Sequence, residues 1–247
     1  MRQFWIRSLV LGLILLPFFC GWGANQARAQ ENLPALIKRI QPAVVTVIGY
    51  NADGKVIRLG SGFFVSENGH LITNLHVVSG VARAEVKLPK GELYPLTTLL
   101  SEDKQADLVK LSVEITGGTP HYLQVSGSRP EVGEHVLAVG SPMGLEQSVS
   151  EGLVSAIRTI RSRGEFLQIS APISQGSSGG PVVNLKGQVI GVATFQIRGQ
   201  NINFAAPGSR VLALGDGPPR LLGQLNGKKS LPPRPGVLVP PPQMRVP

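Results

Sequence analysis

Ser178, His76 and Asp107 are of the residue types that could together perform nucleophilic chemistry on a carbonyl group. A serine hydroxyl is a weak nucleophile near neutral pH, so it needs a base that takes its proton during attack. Histidine is suited to be that base, and a carboxylate fixes the tautomer of the ring and stabilises the imidazolium that forms. These three residues occur along the chain in the order His, Asp, Ser.

The serine lies in the segment Gly176-Ser177-Ser178-Gly179-Gly180-Pro181, which also fits the G-x-S-x-G pattern of the α/β-hydrolase nucleophile elbow. In those enzymes the histidine follows the serine along the chain. This chain has no histidine beyond His135, and its short β-rich runs offer no strand, elbow and helix in succession. We therefore exclude the elbow interpretation. Taken alone, the segment could also be a Gly/Ser loop before a strand.

The chain offers four histidines as the base. His70 follows a strong turn signal and is expected to be exposed, His121 follows Pro120 in the linker region between the two halves, and His135 falls inside a strand pattern. His76 follows an apolar run and begins a short Val-rich turn, where a side chain can be held over a cleft. Position in the sequence favours His76 only modestly.

The elements that must hold these residues are predicted to be mainly β-strands. Residues 33–40 have the pattern of a short amphipathic helix with a proline near its start, and Ser209–Leu214 could add one helical turn. Thirty Gly and twenty Pro favour many turns. The remaining apolar runs are short and evenly spaced, six before and six after a polar stretch at residues 117–120: 44–48, 58–65, 71–74, 84–88, 93–100, 108–113, 135–139, 147–157, 166–170, 182–183, 189–195 and 202–205.

This pattern predicts an all-β fold of two six-stranded antiparallel barrels. We place the first barrel at about residues 41–120 and the second at about 126–213, within one domain at residues 30–213. Residues 214–247 form a tail in which nine of the last thirty residues are Pro. A tail of this composition is expected to be disordered and not to pair into a sheet, with docking on a partner as the alternative.

Residues 1–29 have the layout of a secretory signal peptide. Arg2 and Arg7 precede an apolar run at residues 9–19, and Ala27-Arg28-Ala29 supplies a small-x-small cleavage site. We expect cleavage, export to the periplasm or another extracytoplasmic compartment, and no stable membrane span afterwards; the alternative is retention as an anchor. Cleavage would remove Cys20, the single cysteine, so the mature protein would contain no disulfide.

The formal charge is +9, and it falls to +6 when the three arginines of the leader are removed. Arg158, Arg161 and Arg163 cluster in one predicted loop, and Lys228-Lys229 lie in the tail. No segment interleaves these charges with aromatic residues that could stack on bases. A solvated basic surface is therefore favoured over a nucleic-acid site, and nucleic acid is not expected as a partner.

The chain resembles the trypsin-like serine proteases, and within them the HtrA (Deg) branch of bacterial envelope proteases. The similarity extends from about Leu33 to Pro207 and depends on several short motifs in a consistent order. These motifs are Pro42-Ala43-Val44-Val45, Gly60-Ser61-Gly62-Phe63, Ile72-Thr73-Asn74-Leu75-His76-Val77-Val78, Ala106-Asp107-Leu108, Val139-Gly140-Ser141-Pro142, Gly144-Leu145, Gly176-x-Ser178-Gly179-Gly180-Pro181 and Asn203-Phe204-Ala205.

The resemblance implies that Ser178 is the nucleophile, His76 the general base and then acid, and Asp107 the orienting carboxylate, in a cleft between the barrels. It also implies an oxyanion hole formed by the backbone N–H groups of Gly176 and Ser178, with no metal or organic cofactor. Walls of the substrate pocket would come from Val192, Ala193, Thr194 and Phe204, with no acidic residue placed to receive Lys or Arg. A small aliphatic residue is therefore expected in the pocket.

The chain departs from the pattern of this branch in three places. Ser177 stands where digestive-type enzymes carry Asp and HtrA enzymes usually carry Asn, so activation by a new N-terminal amine is not expected. The roughly forty Pro-rich residues after Ala205 leave no room for a PDZ domain. The segment between Tyr50 and Arg58 is short, so a long regulatory insertion is missing there. The oligomeric state, monomer or trimer, stays open.

Three functions remain under consideration. The leading hypothesis is an exported serine endopeptidase that cleaves unfolded or damaged proteins or peptides through an acyl-enzyme. The chief alternative is a binding or chaperone module with a protease fold whose catalysis is dormant. A third is an adaptor that binds partners through its Pro-rich tail.

Overall fold

Strands of the first half of the chain surround one apolar core in the computed structural model, which describes residues 32–141, 147–197 and 202–225. The described residues do not include 1–31, 142–146, 198–201 and 226–247. The predicted signal peptide and most of the predicted tail therefore lie outside them. The first-half strands are β1 (Val44–Tyr50), β2 (Val56–Phe64), β3 (His70–Asn74), β4 (Arg83–Lys87), β5 (Leu93–Leu96), β6 (Thr98–Asp103) and β7 (Leu108–Ser112).

Strands of the second half form a closed antiparallel barrel of six strands. Its strands are β8 (His135–Gly140), β9 (Ser148–Ile160), β10 (Gly164–Ile169), β11 (Pro181–Asn184), β12 (Val189–Ile197) and β13 (Ile202–Pro207). The barrel order is β10, β13, β12, β11, β8, β9 and back to β10.

Four short helices accompany the strands in the part of the chain that the structure describes. They are α1 (Leu33–Ile40), α2 (Leu75–Val78), α3 (Gly208–Leu212) and α4 (Leu222–Leu225), and a 3-10 turn over Gln41–Ala43 follows α1. The start of α1 follows from its sequence, because the Asn32 side chain accepts a hydrogen bond from Ala35 N–H at 2.9 Å and a proline occupies the first turn.

The first-half sheet has eight strands in the order β14, β6, β7, β3, β2, β1, β4, β5, where β14 is Arg220–Leu221. A single residue, Thr97, separates β5 at one end of this sheet from β6 near the other end. The sheet must therefore curl so that β5 and β6 come close together, although its two end strands, β14 and β5, are not paired. The predicted all-β fold with two barrel-like halves is confirmed, and the second barrel has the predicted six strands.

The first half differs from the predicted six-stranded barrel for two reasons. The predicted strand at residues 93–100 is interrupted at Thr97, and the chain returns from the second half to add β14 beside β6. The prediction that the tail from residue 214 does not pair into a sheet is wrong at Arg220–Leu221. Leu222 N–H donates to Thr97 O at 2.7 Å, and the Leu222 side chain is buried in the first-half core. Burial of that side chain explains why a Pro-rich segment is ordered here.

A third apolar cluster lies between the two halves and fixes where they meet. It joins residues of β1, β2 and β3 to residues of β8, β10, β12 and β13, and it includes Leu36 and Ile40 of α1. Leu36 and Ile40 are four positions apart, so they lie on the same face of the helix. The loops at this junction carry the candidate site.

Candidate active site

His76, Asp107 and Ser178 lie on three connecting segments that follow strands. His76 is the second residue of α2, directly after β3. Asp107 ends the turn between β6 and β7, and Ser178 lies in the loop between β10 and β11. His76 and Asp107 thus come from the first half and Ser178 from the second.

His76 and Asp107 are joined by two hydrogen bonds. Asp107 Oδ2 lies 2.6 Å from His76 Nδ1, and Asp107 Oδ1 accepts from His76 N–H at 2.9 Å. An ionised carboxylate only accepts hydrogen bonds, so Nδ1 carries a proton and Nε2 is the ring atom able to take another. The Asp107 side chain is 19% exposed and the His76 side chain 48% exposed. Asp107 therefore fixes the orientation of the ring through Nδ1, while about half of the His76 side chain stays accessible to solvent.

The backbone of Asp107 adopts a left-handed conformation, with φ of 58°. Aspartate tolerates this region better than most residues, and such conformations gather at functional sites. The Asp107 carbonyl accepts from Leu75 N–H at 3.0 Å and from the Asn74 side-chain amide at 2.8 Å. These bonds tie the aspartate to the start of α2, so the two side chains keep their relative position.

Asp103 shapes the turn that carries Asp107. Its Oδ1 accepts from the N–H groups of Gln105 and Ala106, both at 3.0 Å. Burial raises the pKa of Asp103, but the hydrogen bonds from Ala106 N–H and from Arg210, with the charge of Arg210, outweigh it and hold the pKa below its usual value. The turn is therefore held by an ionised carboxylate.

The loop before Ser178 contains a tight turn with a glycine at the position that needs one. Ser177 N–H donates to Ser174 O at 2.9 Å, and Gly176 has φ of 98°. A positive φ at the third residue of a four-residue turn is typical of type II, which glycine adopts without strain. Among the described residues, the N–H groups of Gly176 and Ser178 have no acceptor. Two neighbouring donors are thus left for a ligand.

Glycines 179 and 180 allow the chain after Ser178 to pack closely. A Cβ atom on Gly179, which has φ of 87°, would overlap Ser61 O and Thr73 Oγ1. A Cβ atom on Gly180 would overlap Val139 O. Both positions therefore exclude any residue with a side chain.

The Ser178 loop and α2 meet at Gly60 of β2. A Cβ atom placed on Gly60 would lie 2.7 Å from the Val77 side chain and 3.1 Å from Ser178 O. Ser61 N–H donates to Ser178 O at 2.8 Å, and Thr73 Oγ donates to Ser61 O at 2.6 Å. Adjacent strands of the first half thereby hold both the segment that carries the nucleophile and the segment that carries the base.

The predicted substrate-pocket residues are uncharged and almost wholly buried. Val192 and Phe204 belong to the cluster between the halves, and Ala193 packs inside the second barrel. Thr194 Oγ donates to Val192 O at 2.8 Å and accepts from the Asn74 amide at 3.4 Å. The assignment of these four residues to the pocket stays a prediction.

Sequence reasoning missed three residues that organise the site: Ser61, Asn74 and Asp103. Asn74 is fully buried and directs its amide at Asp107 O, and Ser61 is fully buried between two glycines of β2. A polar residue inside a buried strand is a usable signal, because such a residue needs partners. Asp103 carries no such signal: its bonds from Gln105 and Ala106 are those of an ordinary turn, and its pairing with Arg210 depends on a contact far along the chain.

Two other groups with shifted pKa values lie away from the site. Burial, with a hydrogen bond to Glu85, raises the pKa of Tyr50 to about 12. A hydrogen bond from Lys110 lowers the pKa of Asp216, against the opposing effect of burial. Within residues 32–141, 147–197 and 202–225, no group of three His, Cys, Asp or Glu side chains could hold a metal ion. No helix in these ranges is long and apolar enough to span a membrane.

The comparisons with known proteins agree with this arrangement. Residues 60–192, which include all three candidate residues, match the family model of the trypsin-like peptidase domain. Serine protease HTRA1A of Danio rerio is 32% identical over 76% of this chain and 41% of its own length. Serine endoprotease DegS of Escherichia coli (strain K12) is 34% identical over 74% of this chain and 56% of its own length. The chain thus spans about half the length of these relatives.

A solved structure shows the same fold. The crystal structure of the serine endoprotease from Yersinia pestis aligns with a TM-score of 0.64 and 33% identity, covering 72% of this chain and 63% of that chain. The resemblance predicted from the short motifs is confirmed by these matches. Of those motifs, Pro142 and Gly144-Leu145 lie outside the described residues.

Proposed function

The chain belongs to the trypsin-like peptidase family and is homologous to the HtrA and DegS serine proteases, and from this we propose that it is a serine endopeptidase acting through an acyl-enzyme. The observation that carries the proposal is the pair of hydrogen bonds between His76 and Asp107, together with the N–H groups of Gly176 and Ser178, which have no acceptor among the described residues. We assign the catalytic roles to His76, Asp107 and Ser178.

In the first step Ser178 Oγ attacks the carbonyl carbon of the peptide bond, and His76 Nε2 takes the hydroxyl proton. The imidazolium keeps its Nδ1–H bond to Asp107, which stays ionised. The former carbonyl oxygen becomes an oxyanion and accepts hydrogen bonds from Gly176 N–H and Ser178 N–H. Donors of this kind, fixed before the reaction, contribute about 3 kcal/mol each to stabilising the transition state.

In the second step the C–N bond breaks, and the leaving amine takes its proton from His76. The acyl group remains on Ser178 Oγ as an ester. Water then attacks the ester carbonyl while His76 accepts the water proton and returns it to Ser178 Oγ. The products are a carboxylic acid and an amine, and the enzyme is restored without any metal or organic cofactor.

We propose unfolded or damaged proteins, and peptides derived from them, as substrates, with a small aliphatic residue in the pocket. The uncharged character of Val192, Ala193, Thr194 and Phe204 supports the pocket assignment. A peptide library that varies this position tests it: Val or Ala should be preferred, and a preference for Arg or Lys would contradict it.

We also propose export, from the signal-peptide pattern of residues 1–29. Fractionation of cells that produce the full chain tests this proposal.

A fluorophosphonate probe tests the catalytic proposal. The purified protein should label and should degrade casein, and Ser178→Ala should do neither. Ser162→Ala is a matched control, because Ser162 lies in the β9–β10 hairpin and its removal should leave labelling unchanged. If the unaltered protein neither labels nor cuts casein, the protein is a dormant module and not a protease.

A further inference from the structure

We propose that Ser61 is a positioning residue that holds the turn around Gly176 in the conformation that binds the oxyanion. This inference rests on the proposed function and identifies what prepares that site. The Ser61 hydroxyl contacts neither the predicted nucleophile's hydroxyl nor the base. It acts on the backbone beside them.

The backbone groups of Ser61 connect the first-half sheet to the Ser178 loop. Ser61 lies inside β2 and is fully buried. Its N–H donates to Ser178 O at 2.8 Å, and its carbonyl accepts from Thr73 Oγ at 2.6 Å. The position of β2 therefore determines the position of the Ser178 carbonyl.

The hydroxyl of Ser61 makes two further hydrogen bonds. It donates to Gly176 O at 2.7 Å and accepts from Ser141 N–H at 2.9 Å. Ser61 thus binds the carbonyl oxygens of Gly176 and Ser178, the same two residues whose N–H groups have no acceptor among the residues described. The hydroxyl and the backbone N–H of Ser61 thus hold the carbonyl groups of Gly176 and Ser178 in place. The N–H groups of the same two residues stay available for the oxyanion.

The hydroxyl matters because it fixes one peptide unit at both ends. In the unit between Gly176 and Ser177, the carbonyl is bound by Ser61 Oγ and the N–H is bound by Ser174 O. The adjoining unit carries Gly176 N–H, and its direction depends on the positive φ of Gly176. Type I and type II turns differ by reversal of this central peptide unit. Without the hydroxyl, a buried carbonyl loses its partner and the turn loses the restraint that selects type II.

The first arm of the test measures the turn itself, without any catalysis. Full-length Ser61→Ala and the unaltered protein are compared by amide hydrogen exchange resolved by NMR. Exchange at Ser177 N–H should be at least about tenfold faster in Ser61→Ala, because its bond to Ser174 O opens more often. Thr46→Val is the matched control: Thr46 is buried opposite Ser61 on β1, and its loss should not change exchange at Ser177.

The second arm measures hydrolysis of a peptide substrate. Misplacement of a reacting group by about 1 Å can lower the rate about 100-fold, so kcat of Ser61→Ala should fall about 10- to 100-fold. KM should stay within about twofold, and the pH profile should keep its shape, because His76 and Asp107 are not touched. A variant that is merely less stable would regain its full kcat once the folded fraction is corrected for.

The outcomes separate this inference from the proposed function. If the unaltered protein hydrolyses no peptide, the proposed function fails, and unchanged exchange at Ser177 would overturn the role of Ser61 separately. Faster exchange with an unchanged kcat would also overturn it, because the turn would then not control the reaction. Where Ser61→Ala does not fold, Ser61→Cys keeps a weak donor in similar volume, and intermediate effects on both measurements are expected.

Discussion

Arg210 of α3 and Asp103 at the end of β6 form an ion pair in which two guanidinium nitrogens approach the same carboxylate oxygen. Arg210 Nε and Nη2 lie 2.7 and 2.5 Å from Asp103 Oδ2. Arg163, also from the second half, donates from Nε to Gln105 O at 3.1 Å. Two arginines of the second half therefore bind the turn that carries Asp107, although Asp107 itself belongs to the first half.

We expect Arg210→Met to lower the free energy of unfolding by about 1 to 2 kcal/mol at pH 7, because a partly buried charged hydrogen bond is lost. Urea denaturation measures this. Arg129→Met is the control: Arg129 pairs with Glu165 at 2.8 Å with side chains 68% and 50% exposed, so its removal should change stability by no more than about 0.5 kcal/mol.

The effect of Arg210→Met should depend on pH. The pKa of Asp103 is lowered in the folded protein, so the ionised carboxylate stabilises the fold above the ordinary aspartate pKa, about 3.9, and this stabilisation is lost as the pH falls through the lowered value. The difference between the two proteins should therefore shrink below about pH 4. A difference that stays constant down to pH 2 would show that Asp103 is not the partner involved.

We expect Asp107→Asn to fold normally and to lose about 10⁴-fold in kcat. The asparagine oxygen can still accept from His76 N–H, and asparagine tolerates the φ of 58°. Its amide nitrogen would donate to Nδ1, so the ring proton would move to Nε2 and block the acceptance of a proton from Ser178. The measurements are kcat on a peptide substrate and the melting temperature. Retention of more than a tenth of the activity would contradict the role given to Asp107.

We expect Gly176→Ala to lower kcat about 100-fold, because an alanine at φ of 98° is strained by about 1 to 2 kcal/mol and the turn would relax away from type II. Gly91→Ala is the matched control. Gly91 has φ of 100°, and a Cβ atom there would meet nothing within 4 Å. Gly91→Ala should lose as much stability as Gly176→Ala but keep its activity unchanged. Equal activity in the two variants would argue against an oxyanion hole at Gly176.

We expect Leu222→Ala to lower the free energy of unfolding by about 2 to 4 kcal/mol, because it leaves a cavity in the first-half core. Leu222 is 4% exposed, whereas its neighbour Leu221 is 57% exposed. Leu221→Ala should therefore change stability by less than about 0.5 kcal/mol. Chemical denaturation of both variants decides whether the segment at residues 220–222 is part of the core. Similar changes in the free energy of unfolding for the two variants would show that it is not.

Much of the fold could be predicted because strand patterning in this chain is regular. The sequence pattern predicts the helix at residues 33–40 with its observed bounds, and the six predicted runs of the second half correspond to β8–β13. Alternation of apolar residues, interrupted by Gly, Asn and Pro, carries this information locally. The second barrel closes with these six strands alone.

What could not be predicted depends on contacts between distant parts of the chain. Arg220–Leu221 is too short to show a strand pattern, and its pairing is determined by the free edge of β6. The hydroxyl of Ser61 acquires its role only where β2 meets the Gly176 turn. The short motif around Ser61 was recognised as part of the resemblance, but no local property of the sequence indicates which carbonyl its hydroxyl binds.

The two ends of the described part of the chain each pack against the opposite half. Near the beginning, Leu36 and Ile40 share a cluster with residues of the second half, and near the end, Leu222 completes the core of the first. The first sheet therefore lacks its last strand until Arg220 and Leu221 have been synthesised. During synthesis from the N-terminus, the turn that presents Asp107 gains Arg210 as its partner only after Ser178 has also been synthesised. Assembly of the site is thereby tied to synthesis of the second half as far as Leu222.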